Sequence, residues 1–351
     1  MLTRRFLSAA LLLVSAACSG TGTEPEQPPF DAPATQQALT TMDNVLATGP
    51  WRSFEVLGRS FAATTVSPVA AGLAEVREGG TVAHAAMAAA RSLAGATVPR
   101  IPPAIRGVTY VLDPATLEYV ADPERNDAPS NGIRFVLYAV NPGTEQPDPT
   151  KPNGHADLID EGDALPNAIA LRLVVVSGGV THLDYRAAAG GTEAAGGLLV
   201  HGFVSDGTDR IEVRIAAGAA TDGDVRKMDI AFEIGVPTHA FLTKAVVRNV
   251  DEDGDVLGQV AMEIKVRETT VHFLAVGTKA LVDGTFAGKG RVLARITGHP
   301  DAPSIRGEGG RELSAGELEV LGKLVGLVQG VFELFEHLLE PAGGILGFGA
   351  S

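Results

Sequence analysis

The sequence predicts an α+β protein that is mainly antiparallel β. We expect a large curved up-and-down meander, half-barrel or barrel-like, with N-terminal helices and a long amphipathic C-terminal helix packed on its apolar face. Three observations predict this architecture. The apolar period changes from helical to alternating near residue 105, residues 168–297 contain repeated hairpin turns, and residues 314–340 carry a long apolar stripe.

The first 17 residues have the parts of a bacterial signal peptide. A basic pair, Arg4-Arg5, precedes an apolar run over residues 6–14, and small residues lead to Cys18. Ser15-Ala16-Ala17-Cys18 resembles the lipobox of bacterial lipoproteins, although Ser15 stands where leucine is usual. The resemblance implies lipid modification of Cys18. Ordinary cleavage without a lipid remains an alternative, and an incomplete twin-arginine motif is a third.

Cys18 is the only cysteine of the chain, which excludes a disulfide within it. Residues 18–33 are polar and rich in proline, glycine and threonine, which predicts a flexible tether behind the lipid. Ser19 follows the cysteine, so the aspartate that retains lipoproteins at the inner membrane of Gram-negative bacteria is missing. The predicted address is therefore the cell envelope, with an outer-membrane anchor facing the periplasm or the surface.

The chain is acidic. Removing residues 1–17, which hold two arginines and no acidic residue, changes the formal charge from −14 to −16. Such a surface repels nucleic acids and anionic headgroups, so neither is an expected partner. The membrane is expected as a partner only through the N-terminal lipid.

Residues 34–104 are predicted to be mostly helical. Residues 34–47 place apolar side chains at helical spacing, Gly49-Pro50 ends that segment, and the same period continues afterwards. An alanine-rich segment over 81–94 predicts a further helix, which prolines from Pro99 onward terminate.

Residues 105–340 carry the meander and the C-terminal helix. Val108–Leu112 and Leu117–Val120 predict a hairpin, Ile133–Val140 a further strand, and the four prolines of Asn141–Gly154 a long surface loop rather than a central strand. Residues 168–297 predict eight or nine strands, each with one apolar and one charged face. The predicted turns are Gly178-Gly179, Asp206-Gly207, Asp222-Gly223 and Asp253-Gly254.

A capping box at Ser314–Glu317 opens the predicted C-terminal helix. Gly322, Gly326 and Gly330 recur on it at four-residue spacing, which favours close packing on the sheet over association in a membrane. Residues 341–351 form an apolar, glycine-rich tail.

No catalytic, cofactor or metal site is predicted, and an enzyme is the least favoured class. Asp157, Asp160, Glu161 and Asp163 suggest a cation site or paired carboxylates, but a solvated loop is the preferred interpretation. Residues 251–255 lack the spacing of a calcium loop and are interpreted as an acidic turn. Four histidines are expected in four different strands without metal-ligand spacing: His182, His201, His239 and His272.

In architecture alone, a lipid-anchored antiparallel meander with a packed helix resembles the half-barrel lipid carriers of bacterial envelopes, such as the lipoprotein-localisation factors. The resemblance covers residues 105–340 and implies a cavity for an apolar ligand. The preferred hypothesis is nevertheless a structural or interaction lipoprotein, because so apolar a helix is usually core. A lipid carrier is the alternative, and an envelope hydrolase is third.

Overall fold

The computed structural model describes residues 32–62, 101–162, 168–191, 195–222, 225–252, 255–278, 281–288, 291–299, 302–315 and 318. Two helices precede one sheet of 15 strands in these ranges. Within them, no helix has both the length and the apolar character needed to cross a membrane.

The helices are α1, Ala32–Leu46, and α2, Gly49–Ala62. Helix α2 begins at the predicted break, where Pro50 is tolerated in the first turn because the amide it lacks would have no intrahelical partner. Each helix buries one stripe at helical spacing. Met42 and Val45 of α1 and Phe54 and Leu57 of α2 are buried, so this part of the helical prediction is confirmed. The predicted helix over 81–94 lies outside the described residues.

Fifteen strands follow the two helices along the chain. They are β1 Val108–Leu112, β2 Tyr119–Ala121, β3 Gly132–Val140, β4 Pro147–Asp160, β5 Ala168–Ser177, β6 Val180–Gly191, β7 Ala195–Ser205, β8 Arg210–Asp222, β9 Val225–Val236, β10 Phe241–Glu252, β11 Asp255–Val266, β12 Thr269–Gly277, β13 Val282–Gly288, β14 Arg291–His299 and β15 Ala302–Gly307.

From β3 to β15 every strand pairs antiparallel with the next, which confirms the up-and-down meander. The sheet is open, with β2 and β15 at its edges. Ten strands, β5–β14, lie where eight or nine were expected. One neighbouring pair departs from the antiparallel pattern, because β1 runs parallel to β3.

The proline-rich segment differs from the prediction. Strand β4 begins at Pro147 and lies between β3 and β5, so the loop predicted over Asn141–Gly154 is wrong in its second half. Proline is tolerated here because the pairing of β4 with β5 begins only at His155, and its register with β3 is irregular near Tyr138. The first half of β4 therefore behaves as an edge.

Alternation divides the sheet into two faces, as predicted. Ile211, Val213 and Ile215 are buried, whereas Glu212 and Arg214 between them are exposed. We call these the apolar face and the outer face. Helix α2 contacts the apolar face at β3–β6, and α1 contacts it at β7–β9. Most of the predicted C-terminal helix lies outside the described residues, which include only residues 314, 315 and 318 of it. No long helix is seen in this described part.

Thr243 is an unusual member of the apolar face. It is fully buried between Ile234 of β9 and Ile264 of β11, and its hydroxyl has no hydrogen-bond partner among the described residues. A buried hydroxyl without a partner costs about 1–3 kcal/mol. We therefore expect Thr243→Val, which keeps the shape, to raise the free energy of unfolding by about 1 kcal/mol in urea titrations.

Thr109→Val is the matched control. Thr109 is equally buried, but its hydroxyl donates a hydrogen bond to Asp127 Oδ1 at 2.9 Å. We expect this substitution to lower the free energy of unfolding by about 1 kcal/mol. Equal changes in the two variants would contradict the assignment of Thr243 as unpaired.

Candidate interaction surface

An ion-pair cluster lies on the outer face where β3, β4 and the segment after β2 meet. The guanidinium of Arg134 donates two hydrogen bonds to Asp157, at 2.7 and 2.8 Å, and a third to Asp127 at 3.0 Å. Burial raises the pKa of Asp127, but hydrogen bonds from Thr109 and Arg134 outweigh it and hold the pKa below its usual value. Arg134 thus neutralises two carboxylates at once.

The acidic cluster predicted beside this site is also paired with arginines. Asp160 accepts a hydrogen bond from Arg106 at 2.9 Å, and Glu161 forms an ion pair with Arg186 at 3.0 Å. Asp163 lies outside the described residues. Asp157 and Asp160 belong to β4, so the preferred interpretation as a solvated loop is wrong for them. The carboxylates of Asp157, Asp160 and Glu161 are thus each engaged by a guanidinium group in a charge-assisted contact.

His155 borders the cluster and makes it sensitive to pH. Its Nε2 lies 3.7 Å from Asp157 Oδ2. Burial lowers the pKa of His155; the Asp157 carboxylate opposes this shift and the Arg134 guanidinium adds to it, and the pKa stays below its usual value.

A histidine with a lowered pKa in the folded state binds fewer protons there than in the unfolded chain. The contribution of His155 to the free energy of unfolding is therefore fully present above the unfolded pKa, about 6.5, and is lost as the pH falls from there through the lowered folded pKa. His155→Gln should reduce this slope in urea titrations between neutral and mildly acidic pH. An unchanged slope would contradict the assignment.

The four highlighted histidines do not converge. His182 Nδ1 lies 3.0 Å from the carbonyl oxygen of Ser205, and His272 lies 3.7 Å from a Glu263 carboxylate oxygen. His201 is exposed on β7. His239 is not in a strand as expected, but in the 3₁₀ turn Pro237–His239, where its Nε2 lies 2.8 Å from the Thr41 hydroxyl of α1.

The described residues contain no group of three or more histidine, cysteine or acidic side chains arranged to hold a metal ion. Cys18 lies outside them. Glu252 at the end of β10 pairs with Asp255 at the start of β11, and the two residues between them, Asp253 and Gly254 of the predicted acidic turn, lie outside the described residues.

A charged row crosses the outer face from β5 to β12. Strand pairing aligns one residue of each strand. Glu233, Lys244 and Glu263 alternate in charge along the row, and Glu233 and Lys244 are 3.2 Å apart. Its members are Arg172, Arg186, His201, Arg214, Glu233, Lys244, Glu263 and His272.

An aliphatic belt runs beside the charged row. On each strand its member lies two residues from the member of the charged row, towards the same side of the sheet. All eight aligned positions are aliphatic: Ala170, Ala188, Leu199, Ala216, Ala231, Val246, Ala261 and Leu274. None is buried, and Leu274 is 48% exposed. Val276, Leu257 and Leu281 add further exposed aliphatic side chains at the β11–β13 end. Contiguous exposed apolar surface of this kind marks interaction sites.

The sequence alone did not identify Arg134 or the belt. Alternation within each strand predicts which residues lie on the outer face. Only the register of eight strands shows that the aliphatic residues of this face are aligned into a belt. The available signal was the high content of alanine and glycine at one end of β6, β7 and β8.

A shallow hollow lies on the apolar face among strands β6–β8, and Tyr185, Gly202, Val213 and Ile215 contribute to its lining. Its enclosed volume is about 10 Å³, which is room for a single water molecule, whereas small-molecule sites usually enclose roughly 300–1,000 Å³.

Comparison of the chain with protein-family models, with curated proteins and with solved structures finds no match.

Proposed function

We propose that this protein is an envelope lipoprotein, anchored through a lipid on Cys18, that acts as a structural or interaction protein. Its apolar sheet face serves as folding core, and its outer face serves as the surface for protein contacts. The observation that carries the proposal is the difference in burial between the two faces of the sheet. Phe54, Leu57 and Val45 of the helices are buried on one face, while the aliphatic belt of the other is accessible.

The anchor is supported by the signal-peptide pattern of the first 17 residues and by the polar segment that separates Cys18 from α1. About 15 residues of flexible tether reach roughly 20 Å on average. A folded sheet at that distance from the bilayer can meet other envelope proteins without entering the membrane.

The anchoring part is tested by expressing the full chain in a Gram-negative host with a labelled fatty acid. We expect label on the wild type and recovery in the outer-membrane fraction, and neither for Cys18→Ser. Ser19→Asp serves as the matched control, because it should keep the label but move the protein to the inner membrane. An unlabelled wild-type protein, or a labelled Cys18→Ser variant, would contradict the proposal.

A lipid carrier is the second candidate, because separate helices cover the apolar face of the sheet. The hollow beside Tyr185 and Gly202 is too small for an acyl chain, which would fit only if α1 or α2 moved away from the sheet. Lipid analysis of the protein extracted from envelopes distinguishes the two functions, since a carrier retains stoichiometric lipid in addition to the covalent anchor.

A further inference from the structure

The β5–β8 half and the β9–β12 half of the aliphatic belt differ in the size of their side chains. The same is true of the row of residues on the side of the belt that is away from the charged row. Beyond the belt, β7 and β8 present Gly197 and Gly218, whereas the next two strands present Asp229 and Arg248 at the same level. Within the belt, Ala170 occupies the β5 end and Leu274 the β12 end. The β5–β8 half is therefore the smaller and flatter one.

We propose that the outer face binds a second copy of this chain, face to face, about a two-fold axis that runs parallel to the strands between β8 and β9. Such an axis places β8 over the partner's β9 and β5 over the partner's β12. Ala170 then faces the partner's Leu274, Gly197 faces the partner's Arg248 and Gly218 faces the partner's Asp229, so that small residues meet larger ones at these positions. Leu199 faces the partner's Val246, a side chain of similar size.

Two of the four pairs that the charged row forms under the same operation join opposite charges. The row's β5–β8 half is basic, with Arg172, Arg186, His201 and Arg214, while its other half contains both acidic members. The axis places Arg214 opposite the partner's Glu233, and Arg186, which also pairs with Glu161 of its own chain, opposite the partner's Glu263. The other two pairs, Arg172 with the partner's His272 and His201 with the partner's Lys244, join no opposite charges. A two-fold interface uses one patch twice, so each of these pairs forms two times. Packed sheets usually cross at about 30°, so the contacts are closest near the axis.

The outer face sets an upper limit on the area of such a dimer. Eight strands spaced about 4.8 Å apart span about 34 Å, and three rows of side chains on one face extend about 20 Å along the strands. The flat footprint is thus at most about 680 Å², against roughly 800 Å² per partner in standard protein interfaces.

A membrane is the less favoured occupant of this face. The eight belt positions include no aromatic residue, and each of them lies beside a member of the charged row. The chain's formal charge of −14 also opposes approach to anionic lipid.

This inference rests on the proposed role of the outer face as a contact surface, and sedimentation equilibrium of the purified full chain in density-matched mild detergent tests it. We expect the wild type to sediment as a dimer at micromolar concentrations. Ala231→Glu introduces a bulky charge beside the axis at an exposed position, and should weaken the dimer at least tenfold without changing the circular dichroism spectrum. Ser304→Glu adds the same charge on the outer face of β15, outside the belt, and should leave the dimer intact.

A charge exchange tests the orientation of the two copies. Arg214→Glu should weaken the dimer by repelling the partner's Glu233, and the double variant Arg214→Glu/Glu233→Arg should restore it. A monomeric wild type, or a dimer that Ala231→Glu leaves unchanged, would overturn the inference. Cys18→Ser is measured in parallel: a dimer formed without the lipid separates failure of the anchor from failure of the interface.

Discussion

Arg134→Met is expected to lower the free energy of unfolding by about 3–5 kcal/mol, because it leaves a poorly hydrated carboxylate without its counter-charge. The side chain of Asp157 is only 10% exposed and receives both of its short hydrogen bonds from Arg134. Asp127 loses one of its partners as well. Equilibrium urea unfolding, followed by circular dichroism, measures the effect.

Arg248→Met is the matched control for Arg134→Met. Arg248 also pairs with an aspartate, Asp229, at 3.2 Å, but the two side chains are 61% and 67% exposed. Solvent screens such a pair, and we expect a change of no more than about 1 kcal/mol. Comparable losses in both variants would show that the cluster at Arg134 has no special role in holding β3 against β4.

Gly202→Ala is expected to destabilise the sheet by about 3 kcal/mol, because the added methyl group has no space. A Cβ at this position would lie 2.1 Å from the carbonyl oxygen of Asp184 and 2.5 Å from Tyr185 Cα, both on the neighbouring strand. The backbone φ of +155° adds to the strain for any side chain. Strands β6 and β7 would have to separate or shift, which thermal and urea unfolding detect.

Gly218→Ala on the adjacent strand separates this clash from the general effect of replacing a strand glycine. A Cβ at Gly218 meets no atom within 4 Å, and its φ is not in the left-handed region. We expect its stability to be unchanged or slightly raised, since alanine reduces the freedom of the unfolded chain. A Gly202→Ala variant as stable as Gly218→Ala would contradict the close approach of β6 and β7.

Local alternation accounts for the part of the fold that the sequence predicts. Strands such as β8 bury every second residue, and the two-residue connection between β5 and β6 carries Gly178-Gly179 as expected. Antiparallel hairpins need only such short-range signals. Strand β4 was missed because proline disfavours strands in general, and only the pairing with β3 and β5 shows that its first half has a free edge.

The candidate sites depend on long-range register, which explains why the sequence did not predict them. Arg134 meets Asp157 through the pairing of β3 with β4, and Asp127 joins them from the segment after β2, held by Thr109 of β1. The parallel pairing of β1 with β3 that makes this possible has no local signal. The aliphatic belt likewise emerges only when eight strands are aligned.

Native mass spectrometry of the protein extracted from cell envelopes tests most directly that the apolar face is folding core and not a ligand site. We expect the mass of a chain that begins at acylated Cys18, together with its dimer, and no further bound lipid on either species. A stoichiometric lipid that is lost when the protein unfolds would contradict this assignment of the apolar face and favour a carrier instead.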